Sequence, residues 1–206
     1  MNGKLIVFEG IDGSGKTTQA QLVHQFLKDK GILNSLFREP GGTPLGEAIR
    51  KILLAREDFH GGIGSTAEYL LFAAARAELS RLIIKPMLDK GITVLLDRFG
   101  LSSVVYQGYG RGLDVDFIKQ VNDMATVGIQ PDLVMLFDLP VETALARIGS
   151  SQDRIEQNGA EFFSKVRDGY LREIKTYGDV GNVIDASENV EAVLAQVQAV
   201  VDLLYA

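Results

Sequence analysis

The residues best placed to do chemistry come early: Gly10-Ile11-Asp12-Gly13-Ser14-Gly15-Lys16-Thr17, in the spacing G-x-x-x-x-G-K-[ST]. Glycines at these positions let successive backbone N–H groups turn inward around phosphate oxygens, and a following helix aims its positive end at the same place. Lys16 then reaches the β- and γ-phosphates of a nucleoside triphosphate, the Thr17 hydroxyl ligates Mg²⁺, and Thr18 completes the turn. Asp12 is the oddity. A carboxylate inside a loop built for anions needs a partner other than phosphate.

A nucleotide phosphate site of this kind uses a second acid at the end of a buried strand to hold or orient the metal. Asp97 and Asp138 each follow an apolar run. Asp138 leads into Leu139-Pro140 and reads as a turn residue at a helix entry. Asp97 is followed by Arg98 and the polar, glycine-rich stretch 100–112, read as a loop. Strand alternation turns Asp97 and Arg98 to different sides, one towards metal and one towards a second anion. Arg38, in Arg38-Glu39-Pro40-Gly41-Gly42-Thr43, closes another apolar run. Ligands of open α/β sheets gather outside the carboxyl ends of the strands, so Arg38 and Arg98 suit bidentate contact with one acceptor phosphate. Phe72 and Arg76 lie four apart on one helix face. They suit a planar base held between a ring and a guanidinium, or a core phenylalanine beside an unrelated arginine.

The elements that must position these groups are short apolar runs, Leu5–Phe8, Leu33–Phe37, Thr93–Leu96, Leu133–Phe137 and Val183–Ile184, alternating with helical patterns at about 15–30, 45–55, 65–90, 113–127, 141–148, 158–178 and 189–204. Ser65 or Thr66 suits the cap of the 65–90 helix. Continuous apolar strands between helices predict an α/β fold with a parallel sheet covered on both faces. The 206 residues, without repeat or linker-like stretch, read as one domain. A net charge of −6 argues against a general affinity for nucleic acid or anionic membrane. The absence of cysteine excludes disulfides and thiolate metal sites. No run approaches the length of a bilayer span, and charged residues come too early for a signal-peptide core, so a cytoplasmic protein is expected. His24 and His60 have no motif around them.

The segments FEGIDGSGKTTQ, REPGGT, FAAARAE, DRFGLSSVVYQGYGRGL, LFDLPVETALARI and DRIEQNGAEFFSKVRDGYL follow one another from Gly3 to about Tyr177. Together they resemble the bacterial thymidylate kinases. The resemblance implies a P-loop NTPase-type three-layer sandwich around a five-stranded parallel sheet, a homodimer, and transfer from ATP–Mg²⁺ to dTMP. It implies that Arg98 and Arg38 bind the dTMP phosphate beside Pro40, and that Asp97 orients acceptor phosphate and Mg²⁺. Phe72 then stacks on thymine, Arg76 bonds its edge, and Ser102, Ser103 and Gln107 surround the base. Tyr106 crowds the sugar 2′ position, and Asp12 lies near the 3′-hydroxyl and the transferred phosphate. Family members place a catalytic arginine either in the phosphate loop or in a mobile lid. Gly13 occupies the loop position here, so a lid at about 147–160 must supply it. Arg154 is the choice, with Arg147 near the adenine or the ATP phosphates. A guanine-reading Asn-Lys-x-Asp, which a regulatory GTPase switch would need, is absent from the chain. A kinase for another small acceptor is the alternative, and it leaves FAAAR and YQGYGRG unexplained.

Overall fold

The computed structural model describes residues 3–55, 59, 62–148 and 153–206; His60 and the lid positions 149–152 lie outside the described residues. Five parallel strands form one sheet: β1 (Leu5–Glu9), β2 (Asn34–Arg38), β3 (Thr93–Asp97), β4 (Leu133–Asp138) and β5 (Gly181–Asp185), ordered β2-β3-β1-β4-β5. The central strands are apolar along their length because helices cover both faces; every residue of β1 and β3 is buried. Each expected strand is present, and all five end one polar residue later than expected, at Glu9, Arg38, Asp97, Asp138 and Asp185. The register pairs Phe8 with Asp97 and Arg38 with Asp97, which brings the three carboxyl ends level at one edge.

The helices are α1 (Lys16–Asp29), α2 (Pro44–Leu54), α3 (Ser65–Leu79), α4 (Lys85–Asp89), α5 (Gly100–Ser103), α6 (Val115–Ala125), α7 (Val141–Ile148), α8 (Gly159–Glu173) and α9 (Val190–Tyr205). Helix α2 starts as its sequence requires. Pro44 opens it, and the Thr43 hydroxyl accepts the Gly46 N–H at 3.0 Å. Helix α3 runs into α4 through a π-helical turn at Ser80–Ile84, so 65–90 is one helical rod. Its cap differs from expectation: Ser65 is already helical, Gly64 takes the cap position, and no side chain caps it.

The stretch 100–112 corrects the sequence reading. It is helical, α5 continued by a π-helical turn at Val104–Gly110, and largely buried. Gly108 and Gly110 serve close approach, while Gly112, at φ +79° with open space around it, lets the chain turn out of the helix. A Cβ on Gly110 would stand 2.6 Å from the Phe162 ring of α8. The turn is anchored by Glu9, whose Oε1 accepts the N–H groups of Phe99 (2.9 Å) and Ser102 (3.2 Å). A strand carboxylate thus does the work of an N-cap. Among the described residues no helix is long and apolar enough to cross a membrane.

Candidate active site

The phosphate loop runs from the end of β1 to α1. Gly15 has φ +83° and offers no side-chain cap, which leaves the first N–H groups of α1 open to an anion. Gly13 has φ +79°, and a Cβ there would overlap the Ala144 carbonyl of α7. The position at which the resemblance allows a loop arginine is therefore closed by packing. Gly13→Ala is expected to cost on the order of 2–4 kcal/mol, from the left-handed backbone and the clash together, read as a lower denaturant midpoint.

One cleft at the carboxyl edge of the sheet is lined by Lys16 and Thr17 of the loop, by Asp97, and by all ten positions expected to hold the acceptor: Asp12, Arg38, Pro40, Phe72, Arg76, Arg98, Ser102, Ser103, Tyr106 and Gln107. Asp97 and Arg98 line that same cleft with different partners, but strand alternation does not set this, since β3 ends at Asp97. Arg98 leaves the strand at φ +73°, a left-handed conformation that costs a non-glycine residue and swings its guanidinium across the phosphate loop. There it donates to Gly10 O (3.1 Å), Ser102 Oγ (3.0 Å), Tyr170 (3.2 Å), Tyr106 (3.2 Å) and Asp12 (2.5 Å).

Asp12 has found its partner. Burial pushes its carboxyl up, yet the charges of Arg98 and then Lys16 outweigh this and hold it well below the usual carboxylate range. Tyr106 donates to its other oxygen at 2.9 Å. Lys16, itself buried, lies 3.6 Å from Asp12, and burial together with neighbouring Arg98 draws its pKa down. Asp97 Oδ2 accepts the Thr17 hydroxyl at 2.5 Å, while the buried Oδ1 has no partner. A hydroxyl and a carboxylate with one bare oxygen make a hard-oxygen pair that fits Mg²⁺ or its waters. The other acid, Asp138, lies outside the cleft. It is gripped by Arg167 at 2.7 and 2.9 Å, an ion pair and not merely a turn residue.

The two lid arginines stand outside the cleft. Arg154 donates through Nε to Leu53 O (2.9 Å) and pairs with Glu68 at 2.7 Å. Arg147 donates to Ala186 O at 3.1 Å, beside the end of β5. Glu68 is buried and also receives Gln107 (3.0 Å) and Arg111 (3.3 Å). Burial would raise its pKa, but Gln107, Arg111 and Arg154 together lower it.

Sequence reasoning missed several residues. Arg50, in mid-helix α2, resembles a solvent-face charge but lines the cleft and donates to Pro40 O at 3.0 Å. Asp153 and Ile155 line it from the lid side. Glu9 accepts the hydroxyls of Ser102 (2.6 Å) and Tyr170 (2.9 Å), and burial raises its pKa. Its position directly before the glycine loop, at the end of an apolar strand, was the available signal.

Glu39 also lines the cleft, and burial pushes its carboxyl up to about 7, against the pull of Arg76. A folded-state value above the reference of 4.5 means that the protonated form favours folding. The contribution is complete below about 4.5 and is lost as pH rises through about 7. The Glu39→Gln variant is therefore expected to gain stability relative to the parent between pH 5 and 8, by on the order of 3 kcal/mol. Urea unfolding at several pH values reads this; parallel curves would exclude titration of Glu39 in that range.

A parallel sheet ordered β2-β3-β1-β4-β5, with a phosphate loop after its central strand and an acid and arginine at the end of the neighbouring one, defines a phosphotransferase of the P-loop class. The family profile of thymidylate kinase matches residues 8–197. The chain belongs to the thymidylate kinase family. It is 47% identical over 194 residues to the thymidylate kinase of Caldanaerobacter subterraneus subsp. tengcongensis, covering 94% of this chain and 92% of the relative. It is 48% identical over 190 residues to that of Pelotomaculum thermopropionicum (91% and 87%). Against that of Thermosipho africanus it is 44% identical over 200 residues (96% of each chain).

Proposed function

We propose that this chain transfers the γ-phosphoryl group of ATP to dTMP, releasing dTDP and ADP, a step towards dTTP. The observation that carries the reading is the shared cleft, in which Lys16 and Thr17 of the donor loop meet Arg38, Phe72, Arg76, Arg98 and Tyr106. An acceptor phosphate oxygen forms a bond to the γ-phosphorus in line as the bond to the β–γ bridging oxygen breaks. No protein nucleophile is needed, so the chain contributes position and charge. The loop backbone from Gly10 to Gly15, Lys16, Thr17 and Thr18 hold the ATP phosphates. Arg147, on α7 beside the end of β5, is given the adenine or those phosphates. Thr17 and Asp97 hold Mg²⁺, which supplies neutralising charge to the transferring phosphates.

On the acceptor side Arg38 and Arg98 take the phosphate beside Pro40, and Asp12 with Tyr106 faces the sugar. Ser102, Ser103 and Gln107 surround the base, Phe72 stacks on it and Arg76 reads its edge. The same proposal makes residues 1–206 one domain and gives Arg154, from a lid at about 147–160, the catalytic arginine's role. It also makes the protein a cytoplasmic homodimer. Leu45 and Ile52 on α2, Leu70 on α3, and Phe117 and Met124 on α6 are exposed apolar side chains on three adjoining helices, which supports pairing of two copies there.

The deciding experiment is coupled ADP release with ATP–Mg²⁺ and dTMP, dUMP, UMP, CMP or dGMP. Turnover with dTMP is expected to stand well above the rest. Equal stimulation by another monophosphate, or none by dTMP, would favour a kinase for a different acceptor.

A further inference from the structure

Arg76 makes four hydrogen bonds within the protein, and its Nη2 also forms an ion pair with Glu39. Nε and Nη2 both reach Glu39 Oε2 (2.8 and 2.7 Å), and Nη2 also reaches Phe99 O (3.0 Å). Nη1 donates to Ser103 Oγ (3.1 Å) and Asn122 Oδ1 (2.7 Å). Glu39 therefore grips the guanidinium through one oxygen, and its buried Oε1 has no partner. A two-oxygen fork would by itself lock the plane of the guanidinium; a one-oxygen grip leaves its orientation to be completed by the other partners, Phe99 O on Nη2 and the two acceptors of Nη1. The direction of Nη1 is then fixed by its own two partners.

Those partners differ. The Ser103 hydroxyl rotates freely and lines the cleft, so an acceptor can claim it. Asn122 is buried on α6, outside the cleft lining, and is held from two further sides. Its Nδ2 donates to Gly100 O at 2.9 Å, and Tyr69, which donates to Ile118 O at 2.7 Å, lies 3.3 Å from Oδ1. Arg76 can only donate and the Gly100 carbonyl can only accept, so the amide is oriented uniquely, with its oxygen towards Arg76.

We infer that Asn122 is a positioning residue for acceptor recognition: from behind the cleft it sets the rotation of the Arg76 guanidinium. The inference rests on the proposed contact between Arg76 and the base edge. It gives α6, a helix that touches no substrate, a direct hold on base recognition.

Steady-state kinetics with dTMP and ATP–Mg²⁺ tests this. Asn122→Ala should raise the dTMP KM by about 10-fold or more, as expected for a lost hydrogen bond to a charged group, with kcat and the ATP KM changed less than about 2-fold. Asn122→Asp keeps an oxygen facing Arg76 but sets its other oxygen against the Gly100 carbonyl, so it should recover part of the loss in dTMP KM at a cost in stability. If Asn122→Ala does not fold, Asn122→Ser, too short to span Arg76 and Gly100, should behave as alanine is expected to. An unchanged dTMP KM, or equal losses in the truncated and aspartate variants across all three parameters, would overturn the inference. Arg76→Lys separates the layers. If it leaves the dTMP KM unchanged, the Arg76 reading itself fails; if it raises KM while the Asn122 variants do not, only the role of Asn122 falls.

Discussion

Replacing Arg154 with alanine is expected to lower kcat by about 10³-fold or more while changing the dTMP KM only modestly, by analogy with arginines that meet charge developing on a transferring phosphoryl group. The structure gives this expectation a sharp alternative. Arg154 is paired with the buried Glu68 and with Leu53 O, and the same carboxylate holds Gln107 of the acceptor cleft. For catalysis Arg154 must exchange the Glu68 pair for phosphate oxygens. Were its role only to hold Glu68, its loss would disturb Gln107 and appear chiefly in the dTMP KM. Single-turnover measurement of the chemical step, with dTMP affinity measured separately, distinguishes the two outcomes. A loss confined to KM would remove Arg154 from the catalytic step and leave Arg147 as the lid arginine to examine.

Arg98→Ala is expected to cut kcat/KM for dTMP by about 10³-fold or more, since under the proposed function one guanidinium serves both acceptor phosphate and phosphate loop. It should also destabilise the protein, by about 3 kcal/mol, because Asp12 loses the largest charge opposing its burial. Lys16, at 3.6 Å, remains as a weaker counter-charge. Adding Asp12→Asn to Arg98→Ala should restore much of the stability without restoring activity. Denaturant unfolding beside steady-state kinetics reads both; recovery of activity in the double variant would show that Arg98 acts only as the counter-ion of Asp12.

The strands, their parallel pairing and the phosphate loop were legible because each depends on local pattern. A continuous apolar run such as Leu5–Phe8 or Leu133–Phe137, too short for a helix and flanked by helical patterns, reads as a buried strand. A glycine-rich turn before Lys16 and Thr17 has few other physical uses. The ten positions proposed for the acceptor were named largely from segment resemblance, and the fold gathers them in one cleft because the register of β2, β3 and β1 levels the strand ends.

The stretch 100–112 was misread because glycine looks the same in a flexible loop and in a helix packed against another. Only the position of the Phe162 ring beside Gly110 shows which applies. Glu39 and Arg50 were overlooked because burial is not written in a charged residue's identity.

By itself, then, the sequence determined the sheet and the donor loop, both fixed by short-range pattern and residue chemistry, and it indicated the kind of acceptor through its resemblance to a family. Only the tertiary structure decided which charges meet. Asp12 pairs with Arg98 across 86 positions and Arg154 with Glu68, while Asn122 reaches Arg76 from another helix. A charged side chain takes the best partner within a few ångströms once water is excluded, and that partner is set by packing, not by distance along the chain.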